Sequence, residues 1–404
     1  MQTRLADFIR DTPQGQEADS ILRSCVHCGF CNATCPTYQL LGDELDGPRG
    51  RIYLMKQMLE GAQVTDVTRR HLDRCLTCRN CETTCPSGVR YGRLVDLGRA
   101  LIEQRVPRAP WSRLQRWALR KGLQAPWLFT PALRVGQWLR PLMPAGLRRR
   151  VPAPRAAGTR PSASRARKML LLEGCVQPAL APDINAATAR VLDRLGIELV
   201  AAPRAGCCGA LDAHLGATEA AHRAMRRNID AWWPAVEAGA EAIVITASGC
   251  GTLVKEYGHE LRHDAAYADK AARISALARD LCEVLALESL DAFAASDPQR
   301  IAFHSPCSLQ HGQQLKGVVE GLLTRLGHEL VPVRDSHLCC GSAGTYSLLQ
   351  PELSARLLEN RLTHLQEQRP ALIATANIGC QLHLAREAGV PVVHWISLLD
   401  PAAR

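Results

Sequence analysis

The chain has 404 residues, which is long enough for two or three domains with sizeable cores. Its 17 cysteines exceed structural need, and its polar start, MQTRLADFIRD, does not resemble a signal peptide. We therefore expect a cytoplasmic protein whose cysteines bind metal, and not a secreted disulfide scaffold. The net charge of +10 comes from residues 99–168, which carry 17 basic side chains and one acidic. No recognised nucleic-acid-binding module accompanies them, so we predict no nucleic-acid partner.

Two copies of one cysteine run lie 50 residues apart near the start of the chain. Both read C-x2-C-x2-C-x3-C-P, the spacing of bacterial ferredoxins, in which the fourth thiolate ligates the other run's 4Fe–4S cluster. We therefore predict two clusters with exchanged fourth ligands. Cluster 1 has the ligands Cys25, Cys28, Cys31 and Cys85, and cluster 2 has Cys75, Cys78, Cys81 and Cys35. Zinc is the weaker interpretation, because two C-x2-C pairs suffice for it and the other cysteines would be surplus.

Between the runs, residues 51–60 show helical periodicity, with Ile52, Met55 and Leu59 on one stripe. Such a helix can cover the clusters and exclude water. Arg49 and Arg51 face either the clusters' negative charge or solvent and a partner, and the sequence leaves both open. Residues 1–98 are thus predicted to be an α-helical two-cluster ferredoxin domain.

Residues 99–168 differ in kind, with 9 of the 24 prolines and four of the seven tryptophans. Basic side chains with spaced tryptophans are typical of a helix lying at a membrane interface. The alternative is a linker whose tryptophans dock on a partner or on the chain's own domains. No run approaches 18 apolar residues, so no transmembrane helix is expected. From 148 to 168 the composition is that of a flexible linker, and we predict a domain boundary near 168.

A second internal repeat begins at residue 169. Cys175 and the pair Cys207-Cys208 recur 132 residues later as Cys307 and Cys339-Cys340, and Cys250 corresponds to Cys380. Each copy reads strand–Cys, helix, strand, Cys-Cys-Gly, helix, strand–Gly-Cys. Apolar strands alternating with helices predict a duplicated parallel α/β domain, with copies at 169–290 and 299–404. Asp183 is predicted to cap a helix that ends at Gly196.

The cysteines of these copies follow strands, and ligands gather beyond the carboxyl ends of parallel strands. The candidate metal ligands are Cys175, Cys207, Cys208 and Cys250 in the first copy and Cys307, Cys339, Cys340 and Cys380 in the second. A further 4Fe–4S cluster, zinc and a redox-active dithiol all remain open. The second copy is favoured because it adds His304, His337, Asn377 and His383 near the cysteines. Cys282 is predicted to be a buried core thiol.

Nucleotide-binding and hydrolase motifs are absent from the sequence, including G-x-G-x-x-G after a strand, G-x4-G-K-[ST] and G-x-S-x-G. Two-electron chemistry on an organic substrate needs a flavin or nicotinamide. We therefore expect no flavin on this chain and an FAD-containing partner subunit.

The ferredoxin runs joined to two Cys…Cys-Cys-Gly…Gly-Cys repeats resemble the heterodisulfide-reductase-like cysteine-rich superfamily. Within it, the segments GDELDGPRGRIYL, HLDRCLTCRNCETTCPSGVRY and SHLCCGSAGTY resemble the glycolate oxidase iron–sulfur subunits. The resemblance implies an electron-transfer subunit, inactive alone, that takes electrons from flavoprotein subunits oxidising glycolate to glyoxylate. It also implies delivery towards the respiratory chain, with a quinone as a plausible acceptor, and peripheral attachment to the inner face of the cytoplasmic membrane.

One departure from the superfamily pattern concerns the end of each repeat. The fuller motif ends in C-x-x-C, whereas Leu253 and His383 stand where its last cysteine would be. Four thiolates per repeat suit a 4Fe–4S cubane or zinc better than a five-cysteine noncubane cluster. The alternatives are the equivalent subunit of a D-lactate or anaerobic glycerol-3-phosphate dehydrogenase, a heterodisulfide or thiol reductase, and a zinc-stabilised scaffold.

Overall fold

The computed structural model describes residues 1–295 and 297–400, which fall into two units. Each unit is assembled from segments that are not consecutive in the chain. Unit 1 comprises Met1–Trp117, Leu211–Thr218 and His337–Arg361, and unit 2 comprises Ala118–Ala210, Glu219–Ser336 and residues 362–400. Unit 1 therefore contains both ferredoxin-like runs together with the Cys339-Cys340 segment of the second repeat.

Short helices carry the first part of the chain. They are α1 (Asp7–Arg10), α2 (Pro13–Ser24), α3 (Phe30–Ala33), α4 (Pro36–Leu41), α5 (Pro48–Leu59), α6 (Asp66–Asp73), α7 (Asn80–Thr83), α8 (Tyr91–Arg105), α9 (Pro110–Gln124), α10 (Pro126–Leu139) and α11 (Ala145–Arg148). Single 3₁₀ turns lie at Glu44–Asp46 and Arg140–Leu142. Prolines begin several of these helices, since the first helical position leaves its N–H unbonded anyway.

Helix α5 is longer than the sequence predicted. It begins at Pro48, three residues before the predicted start, so Pro48, Arg49 and Gly50 belong to its first turn. Its predicted apolar stripe is buried: Ile52, Met55 and Leu59 are at most 3% exposed. They pack with Leu72 of α6 and Leu94 of α8 in the core of unit 1, which surrounds the cysteine runs.

Two four-stranded parallel sheets form unit 2. The strands are β1 (Arg167–Leu171), β2 (Ile197–Ala201), β3 (Ile243–Ile245), β4 (Ala278–Asp280), β5 (Arg300–His304), β6 (Glu329–Leu330), β7 (Leu372–Thr375) and β8 (Val392–His394). The strand orders are β2-β1-β3-β4 and β6-β5-β7-β8, so corresponding strands of the two repeats occupy the same places in their sheets. The register pairs Leu170 with Val200 and Ile243 in the first sheet, and Ala302 with Ile373 in the second.

The remaining helices connect or flank these strands. They are α12 (Gln177–Leu180), α13 (Pro182–Arg194), α14 (Ala210–His214), α15 (Thr218–Glu237), α16 (Ser248–Val254), α17 (Tyr257–Glu260), α18 (Ala268–Leu277), α19 (Leu281–Ala286), α20 (Val318–Arg325), α21 (Tyr346–Leu349), α22 (Pro351–Gln366) and α23 (Ile378–Leu384). Single helical turns lie at Asp291–Phe293, Ser308–Gly312 and Trp395–Leu398.

The predicted helix of the first copy is present, with one correction at its start. Helix α13 begins at Pro182, so Asp183 lies in its first turn, where a carboxylate favours the helix dipole, and does not cap it. Apolar residues of α13 such as Val191 and Leu192 join Trp395 and residues of both sheets in one core. The observed architecture agrees with the predicted fold class, a helical N-terminal part and a duplicated parallel α/β part.

Candidate iron–sulfur centres

The two ferredoxin-like runs adopt the same loop conformation. His27 and Gly29 have φ of 62° and 87°, and the residues 50 positions later, Thr77 and Arg79, have φ of 53° and 58°. Left-handed residues at both places curl the backbone around a point, so that successive cysteines turn inward. Arg79 takes this conformation with a side chain where the first run has glycine. The sequence duplication is thus also a duplication of backbone shape.

Cysteines from both runs line one cavity of unit 1. Its walls include Cys25, Cys28 and Cys31 from the first run and both Cys81 and Cys85 from the second. Cys25 is buried, whereas Cys28 lies exposed at one edge. The structure therefore brings together the four residues predicted as ligands of cluster 1.

The other four cysteines also approach one another. Cys81 is buried, and its thiol lies within electrostatic reach of Cys78, Cys75 and Cys35. Burial, followed by the charges of these neighbours, raises the pKa of Cys81 above the ordinary thiol value. Tyr91 donates a hydrogen bond from its hydroxyl to Cys75 Sγ at 3.5 Å. These are the residues predicted to hold cluster 2.

Both sets suit a cluster of iron and sulfide. Burial and then the neighbouring thiols raise the pKa of Cys31 to about 11, because several thiolates together in a dry site repel one another. Iron cations remove that repulsion, and soft thiolate sulfur is the ligand that iron–sulfur clusters use. The donor chemistry and the enclosure therefore fit the predicted cofactor.

In the first cysteine-rich repeat, all four candidate ligands belong to unit 2 and lie together. Hydrogen bonds from Cys175 and Cys208 lower the pKa of the Cys207 thiol, helped by the Gly209 N–H and Arg227. The same bonds raise the pKa values of Cys175 and Cys208, and Cys250 is a further neighbour of both. Four cysteines held this close together offer the sulfur ligands that a thiophilic metal takes.

A buried amide and a buried phenol hold the Cys207-Cys208 backbone in place. Asn228 Nδ2 donates to Cys207 O at 3.0 Å, and Asn228 Oδ1 accepts from Gly206 N at 2.9 Å. The Tyr257 hydroxyl donates to Cys208 O at 2.7 Å and accepts from Asn228 Nδ2 at 3.1 Å. Both side chains are 0% exposed, so this network fixes the loop that carries the two cysteines.

In the second repeat, the candidate ligands are divided between the two units. Cys307 and Cys380 belong to unit 2, where Asn377 Nδ2 donates to Cys380 Sγ at 3.5 Å. Cys339 and Cys340 belong to unit 1, where Gly341 N donates to Cys339 Sγ at 3.4 Å. The described contacts characterise a four-cysteine set in the first repeat, and the predicted set of the second repeat stays a prediction.

The residues outside these sets have distinct surroundings. Cys282 is 0% exposed among apolar side chains of the unit 2 core, as predicted. His304, predicted beside the second repeat's cysteines, is buried at the end of β5. The sequence analysis missed the residues that support the cysteine loops: Tyr91, Asp46 and His71 in unit 1, and Asn228 and Tyr257 in the first repeat. The sequence offers one local signal for any of them: the acidic Asp46 lies three residues before the basic Arg49 and five before Arg51.

The basic segment places its tryptophans on the surface. Trp111 and Trp117 of α9 are 74% and 56% exposed, and Trp127 and Trp138 of α10 are both 78% exposed. Among residues 1–295 and 297–400, no helix has the length and apolar character needed to span a bilayer. Arg108, at the segment's start, pairs with Asp73 at 2.7 Å and is only 6% exposed, so this part belongs to the fold of unit 1.

Comparison with known proteins identifies the family. A family model described as "4Fe-4S dicluster domain" matches residues 21–89, and one described as "Cysteine-rich domain" matches residues 169–255 and 301–385. The chain is 57% identical to the glycolate oxidase iron-sulfur subunit of Escherichia coli (strain K12), over 100% of this chain and 99% of that protein. This chain belongs to the glycolate oxidase iron–sulfur subunit family. The resemblance drawn from its motifs is confirmed.

Two further relatives are less similar to this chain. The probable glycolate oxidase iron-sulfur subunit of Bacillus subtilis (strain 168) is 30% identical over 95% of this chain and 94% of its own length. Lactate utilization protein A of Geobacillus thermodenitrificans (strain NG80-2) is 28% identical but matches only 58% of this chain, while 98% of that protein is covered. The two relatives named as glycolate oxidase subunits thus match this chain over nearly its full length, whereas the lactate utilization protein matches a little over half of it.

Proposed function

We propose that this chain is the electron-transfer subunit of a flavin-dependent glycolate oxidase, in which a partner flavoprotein oxidises glycolate to glyoxylate. The observation that carries this is the convergence of two four-cysteine sets in unit 1, in a chain whose full-length relatives bear the glycolate oxidase name. Bound iron–sulfur clusters pass single electrons and perform no hydride transfer. The chain alone is therefore inactive, and the substrate is chosen by the partner.

The proposed ligands exchange between the runs. Cluster 1 takes Cys25, Cys28, Cys31 and Cys85, and cluster 2 takes Cys75, Cys78, Cys81 and Cys35. Cys25, Cys28, Cys31 and Cys85 line one cavity, which supports the first set, although Cys81 of the second set also reaches this cavity. The influence of Cys78, Cys75 and Cys35 on the pKa of Cys81 supports the second set. Charged neighbours shift a thiol's pKa chiefly from within about 4–6 Å, which supports a compact site for each set.

Paired cysteine variants test the exchange. If Cys25 and Cys85 share a cluster, replacing both by serine damages one cluster: the EPR signal of the other remains, and the iron lost is that of one cluster. Replacing Cys25 and Cys35 then damages both clusters. If each run instead holds its own cluster, the two double variants give the reverse pattern, which would refute the exchanged ligands.

A further metal site is proposed at Cys175, Cys207, Cys208 and Cys250, holding a 4Fe–4S cluster or zinc. The hydrogen-bonded thiols around Cys207 support it. A site at Cys307, Cys339, Cys340 and Cys380 is the corresponding proposal for the second repeat. Iron, zinc and sulfide analysis of the wild type and of Cys208→Ser tests the first site: loss of one cluster's iron or of one zinc is expected. Unchanged metal content would exclude that site.

The flavoprotein is proposed to deliver electrons at the edge of cluster 1. Cys28 is exposed there, and beside it Val26 and Phe30 are 68% and 62% exposed. Electron delivery needs a short path from the flavin to a cluster, and exposed apolar side chains next to a ligand suit a partner interface. Phe30→Glu is expected to weaken copurification with the flavoprotein at unchanged iron content. Leu287→Glu, equally apolar and 86% exposed, is the control, and an equal loss in both would argue against this edge.

Peripheral contact with an anionic membrane is proposed for α10. Trp127 and Trp138 are 11 residues apart, which places them within about 20° of each other on the helix. Val135 is 56% exposed on the same side, and Arg134 and Arg140 supply positive charge. Interfacial helices bind through such a face together with attraction to anionic lipids. From this inner-membrane position, a respiratory acceptor such as a quinone can receive the electrons.

Vesicle sedimentation tests the membrane contact. The Trp127→Ser/Trp138→Ser variant is expected to bind phosphatidylglycerol-containing vesicles several-fold less than the wild type, and Leu287→Ser to bind like the wild type. Equal vesicle binding by all three proteins would contradict the assignment. If the double tryptophan variant instead loses the flavoprotein, α10 is a partner surface. Point variants are preferred to deletion of the basic segment, because Arg108 and Arg116 of that segment pair with Asp73 in unit 1.

A further inference from the structure

A buried arginine lies beside the proposed cluster 2. Arg51 is 1% exposed, and its Nη1 donates to Thr37 Oγ1 at 3.1 Å and lies 4.0 Å from Cys35 Sγ. Its Nε donates to His71 O at 2.7 Å. Burial opposes its charge, yet neighbouring Tyr91, Cys75, Cys35 and Asp46 together raise its pKa. Arg51 is thus a permanent cation held in the protein interior.

The counter-charge for Arg51 is shared. Asp46 is 0% exposed; its Oδ1 lies 3.3 Å from Arg51 Nη2 and 3.0 Å from His71 Nδ1, and its Oδ2 accepts from Arg74 Nη1 at 2.8 Å. One carboxylate therefore forms ion pairs with two guanidinium groups. We call Asp46, Arg51, His71 and Arg74 the Arg51 group, and it carries a net positive charge at neutral pH.

The other charged side chains around cluster 2 keep the sign positive. Arg99, 6% exposed, donates to Cys75 O at 2.5 Å and to Leu72 O at 3.0 Å, and lies 3.7 Å from Asp96. Arg79 and Glu82 flank the Cys78–Cys81 loop, and Arg79 Nε and Glu82 Oε1 both lie beside Gly92, so these opposite charges are close together. Glu82 is the one that acts on the pKa of Cys81.

The corresponding cation at cluster 1 is neutralised. Arg49 approaches the Gly29 position and influences Cys31, but its Nε pairs with Glu44 at 2.6 Å, one cation to one anion. Their side chains are 35% and 41% exposed, so water and salt also screen them. Cys28 is itself exposed. The N-terminal ammonium also donates to Cys25 O at 2.7 Å and acts on the Cys25 thiol, but from a partly exposed position. The charges beside cluster 1 are thus screened by water, whereas Arg51 and Asp46 beside cluster 2 are buried.

We propose that the Arg51 group raises the reduction potential of cluster 2 above that of cluster 1, so that electrons pass from cluster 1 to cluster 2. This inference rests on the ligand sets proposed above. Reduction adds one negative charge to a cluster, and nearby buried positive charge and hydrogen bonds to its sulfurs favour that step. One electron leaves reduced cluster 1 and enters cluster 2; the first is oxidised, the second is reduced, and no proton moves because Arg51 stays protonated.

The direction agrees with what lies beyond cluster 2 in unit 1. Asn80 Nδ2 donates to His337 O at 3.1 Å, and the Tyr346 hydroxyl donates to Arg74 O at 3.1 Å. Cys75 and Cys339 both act on the pKa of Tyr346, which burial raises. Tyr346 therefore lies between cluster 2 and the Cys339-Cys340 segment. Electrons arriving at cluster 2 are next to the cysteine motif of the second repeat, whereas cluster 1 is at the exposed edge.

EPR-monitored redox titration of the anaerobically purified full-length protein tests this. The wild type is expected to show two clusters with distinct midpoints. In Arg51→Gln, the signal that is reduced first should move to lower potential, with the reduced-to-oxidised ratio at the wild-type midpoint falling at least about tenfold, or about 59 mV for one electron. Arg49→Gln is the matched control and should move the later signal by less than about threefold.

The outcomes separate this inference from the proposed function. A wild type without two 4Fe–4S clusters contradicts the proposed function itself. Two clusters with one common midpoint, or an Arg51→Gln variant that moves neither signal or only the later one, overturns the inference and leaves the proposed function intact. If Arg51→Gln loses a cluster, Arg74→Gln is measured instead: its side chain is 28% exposed, and the same signal should move in the same direction. No shift in Arg74→Gln then counts against the inference.

Discussion

The Tyr257 hydroxyl offers the sharpest test of how unit 2 holds its cysteine pair. Phenylalanine at 257 keeps the ring that stacks near Trp232 at 6.5 Å between centroids, and removes only the hydroxyl. The Cys208 carbonyl then loses its donor at 2.7 Å in a fully buried site. Asn228 loses one acceptor but keeps Cys207 O.

The magnitude follows from those two losses. A buried carbonyl left without its partner costs about 1–3 kcal/mol, and the Asn228 bond adds little because its amide retains another acceptor. Urea unfolding followed by circular dichroism should therefore show Tyr257→Phe destabilised by about 1–3 kcal/mol, with less metal retained at the first repeat. Tyr267→Phe is the control: its hydroxyl donates to Asp230 at 2.9 Å at the surface, and we expect a change within about 0.5 kcal/mol. Equal unfolding midpoints for the two variants would refute the reasoning.

Three further predictions concern pH and a glycine. Burial lowers the pKa of His394 to about 4, so the folded state binds fewer protons than the unfolded state between about pH 6.5 and 4. The free energy of unfolding should fall by up to about 3 kcal/mol as the pH drops through that window. Urea midpoints of the wild type and His394→Gln at several pH values test this. Burial raises the pKa of Asp280 to about 6, so ionising this carboxyl lowers the free energy of unfolding as the pH rises from about 4 to 6. Asp280→Asn should therefore be more stable than the wild type at pH 7 by up to about 3 kcal/mol. An unchanged urea midpoint would contradict this. Gly341 has φ +88°, and an added Cβ would lie 2.8 Å from Ser354 O, so Gly341→Ala should be destabilised by about 1–3 kcal/mol. Gly344 has φ +62° and open space around an added Cβ, so Gly344→Ala should be destabilised by less. The reverse order would count against the strain argument.

The cysteine spacing could predict which thiols come together because tight loops leave few alternatives. The runs ending at Pro36 and Pro86 fix three cysteines each over a few residues, and the left-handed conformations at His27 and Thr77 recur at the same offset. Strand and helix patterns likewise predicted the duplicated sheets. These features depend on local sequence, which one chain displays directly.

Long-range packing could not be predicted in the same way. The segment His337–Arg361 belongs with the ferredoxin-like runs through contacts such as Arg356 Nη2 to Leu40 O at 3.0 Å. No periodicity marks a residue for such a partner. The burial of Arg51 is similar: the sequence left it facing either a cluster or solvent, and its 1% exposure follows from carboxylate and carbonyl partners at Asp46 and His71.

The Asn228–Tyr257 network was also beyond the sequence. Asn228 lies in α15 and Tyr257 in α17, and neither position differs in pattern from an ordinary helical residue. Their roles arise only because both helices pack behind the Cys207-Cys208 loop. Polar residues that support a site from behind are thus the part that sequence reasoning misses most readily.

Iron and acid-labile sulfide counts, combined with EPR of the reduced protein, test the central claim most directly. The account predicts iron and sulfide sufficient for at least two 4Fe–4S clusters per chain, with signals from two clusters near each other. Zinc in place of iron, with no labile sulfide, would contradict it.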